Sequence, residues 1–275
     1  MNNAELNFAL GYTPPQTYGT IPTGSVGLDV LLGGGWPVQG VSEIYGHPTS
    51  GRSTLLYYAI ASAQLRGLDP VGLIDRAKQF NLEYAEEIGV DLSSLILAAS
   101  SELVSSLVDV CPLIVIDDLA PTDLPYGLYA PGSTVIYTLQ TRKDLDSGRN
   151  VTSGHHLAPC TRVKLRASFQ GHGNLHTQRQ SVIAEVIKSR QLPGPTHRGE
   201  IGGCHFEISS AGIDQEQEIL LTASAHCLVE RRGNWYYLDG KPMGDHPGWV
   251  SASAWLRDNP YERMYLEDRL RSERS

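Results

Sequence analysis

Short apolar runs, separated by clusters of glycine, proline and polar residues, set the plan of this chain. Val41 to Tyr45, Val71 to Asp75, Leu113 to Ile116 and Ser133 to Gln140 are too short for buried helices and rich in the β-branched residues of strands. Helical stretches lie among them. Ser25 to Leu32 carries Thr23 or Ser25 as its N-cap, Thr54 to Leu65 follows a glycine-rich turn, and Asn81 to Ile88 is closed by Gly89. Arg162 to Phe169, Val182 to Ser189 and His205 to Ser209 read as later strands. Continuous apolar runs, rather than strict alternation, belong to strands covered on both faces. The pattern therefore predicts an α/β fold with a mostly parallel twisted sheet flanked by helices.

The two ends differ from this core. Residues 1–20 are mixed in character, contain Pro14 and Pro15, and read as a short N-terminal arm. From about Asp214 the pattern changes to an aromatic strand, Trp235 to Leu238, a turn at Asp239 and Gly240, and helices over Val250 to Asp258 and Tyr261 to Arg271. The expected organisation is an arm over 1–20, a core over 21–213 and a small α/β module over 214–275.

Composition narrows the class. Of the 275 residues, 41% are hydrophobic and 19% charged, which supports a packed core and excludes a disordered chain. The formal net charge of -8 does not attract nucleic acid in bulk, so any DNA contact has to come from a local basic patch. The four cysteines, Cys111, Cys160, Cys204 and Cys227, are scattered and form no CxxC pair, as in a reducing compartment. Met1 to Gly19 has neither a basic start nor an apolar run, and a cytoplasmic location is the expectation.

The chemistry-bearing segment is Gly46-His47-Pro48-Thr49-Ser50-Gly51-Arg52-Ser53, with Thr54 opening the helix that follows. Its spacing is that of a phosphate-binding loop, GxxxxGK[ST], with arginine at the lysine position. Glycines let backbone N–H groups turn inward around phosphates, and the next helix aims its positive end at them. Ser53 offers a hydroxyl to Mg²⁺, and Asp117, at the end of a second apolar strand, offers the accompanying carboxylate. Arg52 keeps the positive charge on a planar fork in place of a compact ammonium. The alternative is a glycine-rich strand-to-helix turn that binds nothing. His155, His156 and Cys160, or His172 and His176, raise zinc, but their spacing matches no four-ligand site, and Mg²⁺ is the one metal expected.

Thr23-Gly-Ser-Val-Gly-Leu-Asp29 and Glu43-Ile-Tyr-Gly46 resemble the lead-in to the phosphate loop of the RecA recombinase family. Leu73-Ile-Asp75, Tyr84-Ala85, Ile88-Gly-Val-Asp91 and Ile114-Val-Ile-Asp117 resemble the strands and helix that follow, and Gly233-Asn-Trp-Tyr236, Gly240-Lys241 and Ala254 to Pro260 resemble the C-terminal module. The resemblance runs from about Ile21 almost to the end. It implies a RecA-like core, ATP with Mg²⁺ and a DNA-related role. It also implies that Tyr84 lies near the adenine, that Gln140 senses the γ-phosphate, and that Lys188 and Arg190 reach the ATP of a neighbouring subunit.

The sequence departs from the family at four places. The loop lysine is Arg52. The family's catalytic glutamate position is Ala77, which can neither orient a water nor take its proton, so ATP hydrolysis is expected to be weak or absent. The link from Leu119 to Gly132 has no room for the first DNA-binding loop and its helix, and the arm that builds a filament is short, leaving self-assembly open. A second DNA-binding loop, Thr141 to Gly154, keeps Arg142, Lys143 and Arg149 for single-stranded DNA but lacks an aromatic residue for stacking. Two functions follow. One is a recombination or repair protein that binds ATP and single-stranded DNA. The other is a non-enzymatic paralogue, of the ImuA type, that serves as a platform for a recombinase or a repair polymerase.

Overall fold

The computed structural model describes residues 19–119, 132–143, 150–152, 159–169, 179–189 and 202–272. The chain enters through β1 (Thr20–Ile21), which pairs with β2 (Trp36–Pro37) around helix α1 (Val26–Leu32). Of the two offered caps, Ser25 starts the helix, its Oγ accepting the Leu28 N–H at 3.1 Å. Gly33, left-handed at φ 75°, ends it.

The main sheet is built on β3 (Val41–Gly46), helix α2 (Arg52–Gln64), β4 (Val71–Asp75), helix α3 (Leu82–Ile88), β5 (Leu95–Ala98), helix α4 (Val104–Val108), β6 (Leu113–Asp117) and β7 (Thr134–Lys143). It continues through β8 (Asn150–Thr152), β9 (Thr161–Phe169), β10 (Gln180–Ser189), β11 (Gly202–Ser209) and β12 (Gly212–Ile213). The strand order is β12-β11-β10-β9-β3-β7-β6-β4-β5, with β8 paired to β7 outside this path. The strands from β9 across to β5 are parallel to their neighbours, whereas β9 to β12 form an antiparallel limb. No helical pattern separates those last strands in the sequence, and parallel neighbours need a long crossover connection, usually a helix.

The pleat sorts the apolar runs into two faces. Leu113, Val115, Ile136 and Val163 join residues of α1 and α2 in one cluster. Ile114, Ile116, Val135 and Tyr137 join Val104 and Leu107 of α4 in another. That is the covered-on-both-faces arrangement read from the unbroken runs. Of the elements that went unread, two lie between β4 and β6. β5 is an edge strand with Ile96 and Leu97 exposed, and α4 is a short helix ahead of β6. β7 also runs three residues past the expected end at Gln140 because β8 pairs with it there.

Beyond β12 come helix α5 (Gln215–Ala225), the small sheet β13 (Glu230–Arg232), β14 (Trp235–Leu238) and β15 (Lys241–Pro242), and helices α6 (Trp249–Asp258) and α7 (Pro260–Ser272). Their core contains Leu220, Tyr236, Leu256, Leu266 and Leu270, together with Val26 and Val30 of α1. Leu28 and Leu32 of the same helix belong to the main core. Helix α1 is thus buried between the two. Among the described residues no helix is long and apolar enough to cross a membrane.

Candidate nucleotide site

The site lies where β3, at the centre of the sheet, ends and α2 begins. Gly46, the last residue of β3, packs so closely that an added Cβ would meet Ser50 Oγ and the Leu165 carbonyl. Gly51 is left-handed at φ 87°, and a Cβ there would run into Ile208. Its backbone turn releases the chain into helix at Arg52, two residues earlier than the expected Thr54. Between the glycines, the Ser50 N–H donates to the His47 carbonyl at 3.3 Å, and His47, Pro48 and Thr49 are exposed. Residues 49–54, with Gln180 and Ile208, line a cavity of about 210 Å³.

The predicted metal pair comes together. Ser53 Oγ donates to Asp117 Oδ2 at 2.7 Å, and Thr138 Oγ1 donates to Asp117 Oδ1 at 2.7 Å. The same Thr138 oxygen accepts the Asp118 N–H at 2.7 Å, which fixes the strand end. A hydroxyl and a carboxylate at this distance are the hard-oxygen donors that Mg²⁺ takes alongside phosphate and water. Arg52 Nη1 lies 3.7 Å from Asp118 Oδ1, an ion pair without a hydrogen bond, and its side chain is only 12% exposed. Burial lowers its pKa, and Asp117 and Asp118 hold it up. Among the described residues, Arg52 Nη1 and Ser50 Oγ are buried without a hydrogen-bond partner. Donors left in this state at a loop of this shape suit an anion.

The other predicted residues are placed as follows. Gln140 pairs across β3 and β7 with Gly46, at the mouth of the loop. Tyr84 sets its hydroxyl 3.2 Å from Thr54 Oγ1 and its ring edge on Tyr57, with 6.0 Å between centroids. Burial raises its phenol pKa. Lys188 pairs with Arg162, which pairs with Glu43, three residues back along β3 from Gly46. At about 3.3 Å per residue this puts Lys188 roughly 10 Å down the sheet from its own loop. Arg142 and Lys143 lie in β7, paired with Val151 and Asn150 of β8, so the expected irregular loop from Thr141 begins as a hairpin. Ala77 is exposed, two residues past Asp75, whose carboxylate accepts the Gln79 and Phe80 N–H groups at 3.1 and 2.8 Å. Arg149, Arg190, His155, His156, His172 and His176 lie outside the described residues, and Cys160 is a half-buried thiol.

Sequence reasoning assigned no role to Thr138, Asp118 or Gln180. Thr138, two residues before Gln140 on the same face of β7, was open to discovery from strand period. Gln180 carries no signal, since it reaches the loop only through the antiparallel limb.

A central strand, a glycine-rich loop and a hydroxyl–carboxylate pair under a helix N-terminus define a P-loop type α/β protein. The family model described as RecA N-terminal domain matches residues 6–120. The protein named RecA of Thermotoga petrophila is 30% identical over 302 aligned positions, covering 94% of this chain and 84% of that protein. The RecA protein of Thermotoga maritima is likewise 30% identical, and that of Frankia alni is 29% identical, covering 91% of this chain and 82% of its own. The chain belongs to the RecA family.

Proposed function

We propose that this chain is a RecA-like recombination or repair protein of the cytoplasm that holds ATP and Mg²⁺ in the loop from Gly46 to Thr54 and turns ATP over slowly or not at all. The observation that carries this reading is the 2.7 Å contact of Ser53 with Asp117 beside an Arg52 nitrogen that has no hydrogen-bond partner among the described residues. In it, Ser53 and Asp117 hold the metal, Arg52 and the loop N–H groups neutralise phosphate charge, and Tyr84 lies toward the base. ATP would supply the γ-phosphate by which Gln140 distinguishes two states of the segment that carries Arg142, Lys143 and Arg149, where single-stranded DNA binds. Lys188 and Arg190 act on a neighbouring copy, in keeping with the distance of Lys188 from its own loop. The organisation into 1–20, 21–213 and 214–275 is part of the same reading.

Exposed Ala77 favours a second reading, in which the nucleotide site is retained without chemistry and the fold is a platform for a recombinase or a repair polymerase. Binding of Mg–ATP and its hydrolysis, measured side by side on the purified chain, test the first reading. Saturable binding with turnover well below about 1 s⁻¹ is expected. Faster turnover, or no binding, refutes it. Co-sedimentation with a recombinase by a chain that stays monomeric with nucleotide selects the platform.

A further inference from the structure

Two neighbouring side chains at the start of β10 do more than the reading above requires. Gln180 Nε2 donates to the Thr49 carbonyl of the phosphate loop, and Gln180 lines the same cavity as Arg52 and Ser53. Thr49 is left-handed at φ 61°. A β-branched residue is strained there, and such a conformation persists only where its surroundings over-determine it. Within the loop, the Ser50 N–H bond to His47 closes a turn but does not hold the Thr49 carbonyl. The contact from Gln180 does.

The preceding residue faces the other way. Arg179 Nη1 lies 3.3 Å from Glu207 Oε2 and 3.0 Å from Asp214 Oδ2, and its guanidinium sits over the Trp249 ring at 6.0 Å. Asp214 is the N-cap of α5, its Oδ1 accepting the Gln217 N–H at 3.2 Å, and Trp249 is the first residue of α6. One dipeptide thus touches the phosphate loop on one side and the first two C-terminal helices on the other.

We propose that Gln180 is a positioning residue of the nucleotide site, latching Thr49 in its left-handed conformation, and that Arg179 anchors this latch to α5 and α6. The inference rests on the nucleotide reading above. It assigns to the C-terminal module a part in shaping a loop to which it contributes no residue.

The test is titration of the full chain with a non-hydrolysable ATP analogue and Mg²⁺, followed by calorimetry. Gln180→Ala should weaken binding about fivefold, the change given by loss of one neutral hydrogen bond of about 1 kcal/mol. Thr49→Gly removes the strain, so the double variant Thr49→Gly/Gln180→Ala should recover parental affinity, a rescue that general loss of folding would not produce. Arg179→Ala should weaken binding in the same direction, and Thr49→Gly should rescue it too. Parental affinity in Gln180→Ala, or a double variant no better than Gln180→Ala, overturns the latch. An unaltered Arg179→Ala overturns the anchor. Absence of binding by the parent chain is a different result, since it removes the nucleotide reading and the latch with it.

Discussion

Glu218 offers a quantitative test of how α5 is joined to the core. Its side chain is fully buried against the start of α1, where Oε1 accepts the Ser25 hydroxyl at 2.5 Å and the Gly27 N–H at 3.0 Å, while Oε2 has no hydrogen-bond partner among the described residues. Burial is the largest cause of a pKa pushed up from 4.5 to about 8, with the two hydrogen bonds opposing it. The folded chain therefore binds a proton here that the unfolded chain gives up above pH 4.5. The group's contribution is most favourable below that value, declines as pH rises, and is flat above pH 8. Each pH unit in the window is worth about 1.4 kcal/mol, so about 3 kcal/mol is lost by neutral pH and at most about 5 by pH 8.5. Asp29, raised to about 6 chiefly by burial, acts in the same direction over a narrower window. Glu218→Gln mimics the protonated carboxyl. In urea unfolding at pH 5, 7 and 8.5 it should match the parent at the acid end and exceed it by several kcal/mol at pH 8.5, with an unchanged denaturant slope. A variant less stable than the parent at pH 8.5, or one displaced equally at every pH, would refute the reasoning.

Three further outcomes follow from the site and the sheet. Arg52→Lys combined with Ala77→Glu should raise ATP turnover by about 10²-fold or more over the parent, the scale of a positioned general base, read by phosphate release. Alanine at Arg142, Lys143 and Arg149 together should remove single-stranded DNA binding, and the parent's dependence of log affinity on log salt should be shallow, about −0.7 per phosphate contacted, read by fluorescence anisotropy. Glu43 is buried under Arg162, with Nη2 at 2.6 Å, and accepts the Tyr137 hydroxyl at 2.8 Å, so Glu43→Ala should cost about 3 kcal/mol in urea unfolding by removing the carboxylate that both groups donate to.

The parts of the fold that were legible are those in which one physical signal stands alone. Leu113 to Asp117 is apolar on both faces and ends in an acid, so strand, burial and metal-side carboxylate could be read together. The cap offered at Thr23 or Ser25 and the closing Gly89 marked helix ends because hydrogen bonding and positive φ select those residue types, whereas Asn81, read as the first helical residue, is the cap itself. β5 escaped because Leu95 to Ala98 is an edge strand with half its side chains in water, and so lacks the bounding pattern of a buried run. The antiparallel limb escaped because direction is fixed by the connections, not by the composition of the strands. At the site, the residues on the strand–loop–helix unit could be found by spacing. Thr138 was within reach of the strand period, whereas Asp118 takes its place only by facing Arg52 and Gln180 only by arriving from the antiparallel limb, and tertiary structure alone shows either.

Helix α1 bears on how the chain can be divided. With Val26 and Val30 in one core, Leu28 and Leu32 in the other, and its first turn satisfied by Glu218, it belongs to neither side alone. A cut near Asp214 separates the sequence but not the packing. It would strip the apolar side of α1 and take away the acceptor at its N-terminus. A graft of the C-terminal helices onto another core would have to carry Ser25 to Leu32 with it, so the smallest transferable unit is discontinuous, made of a piece from the start of the chain and a piece from its end.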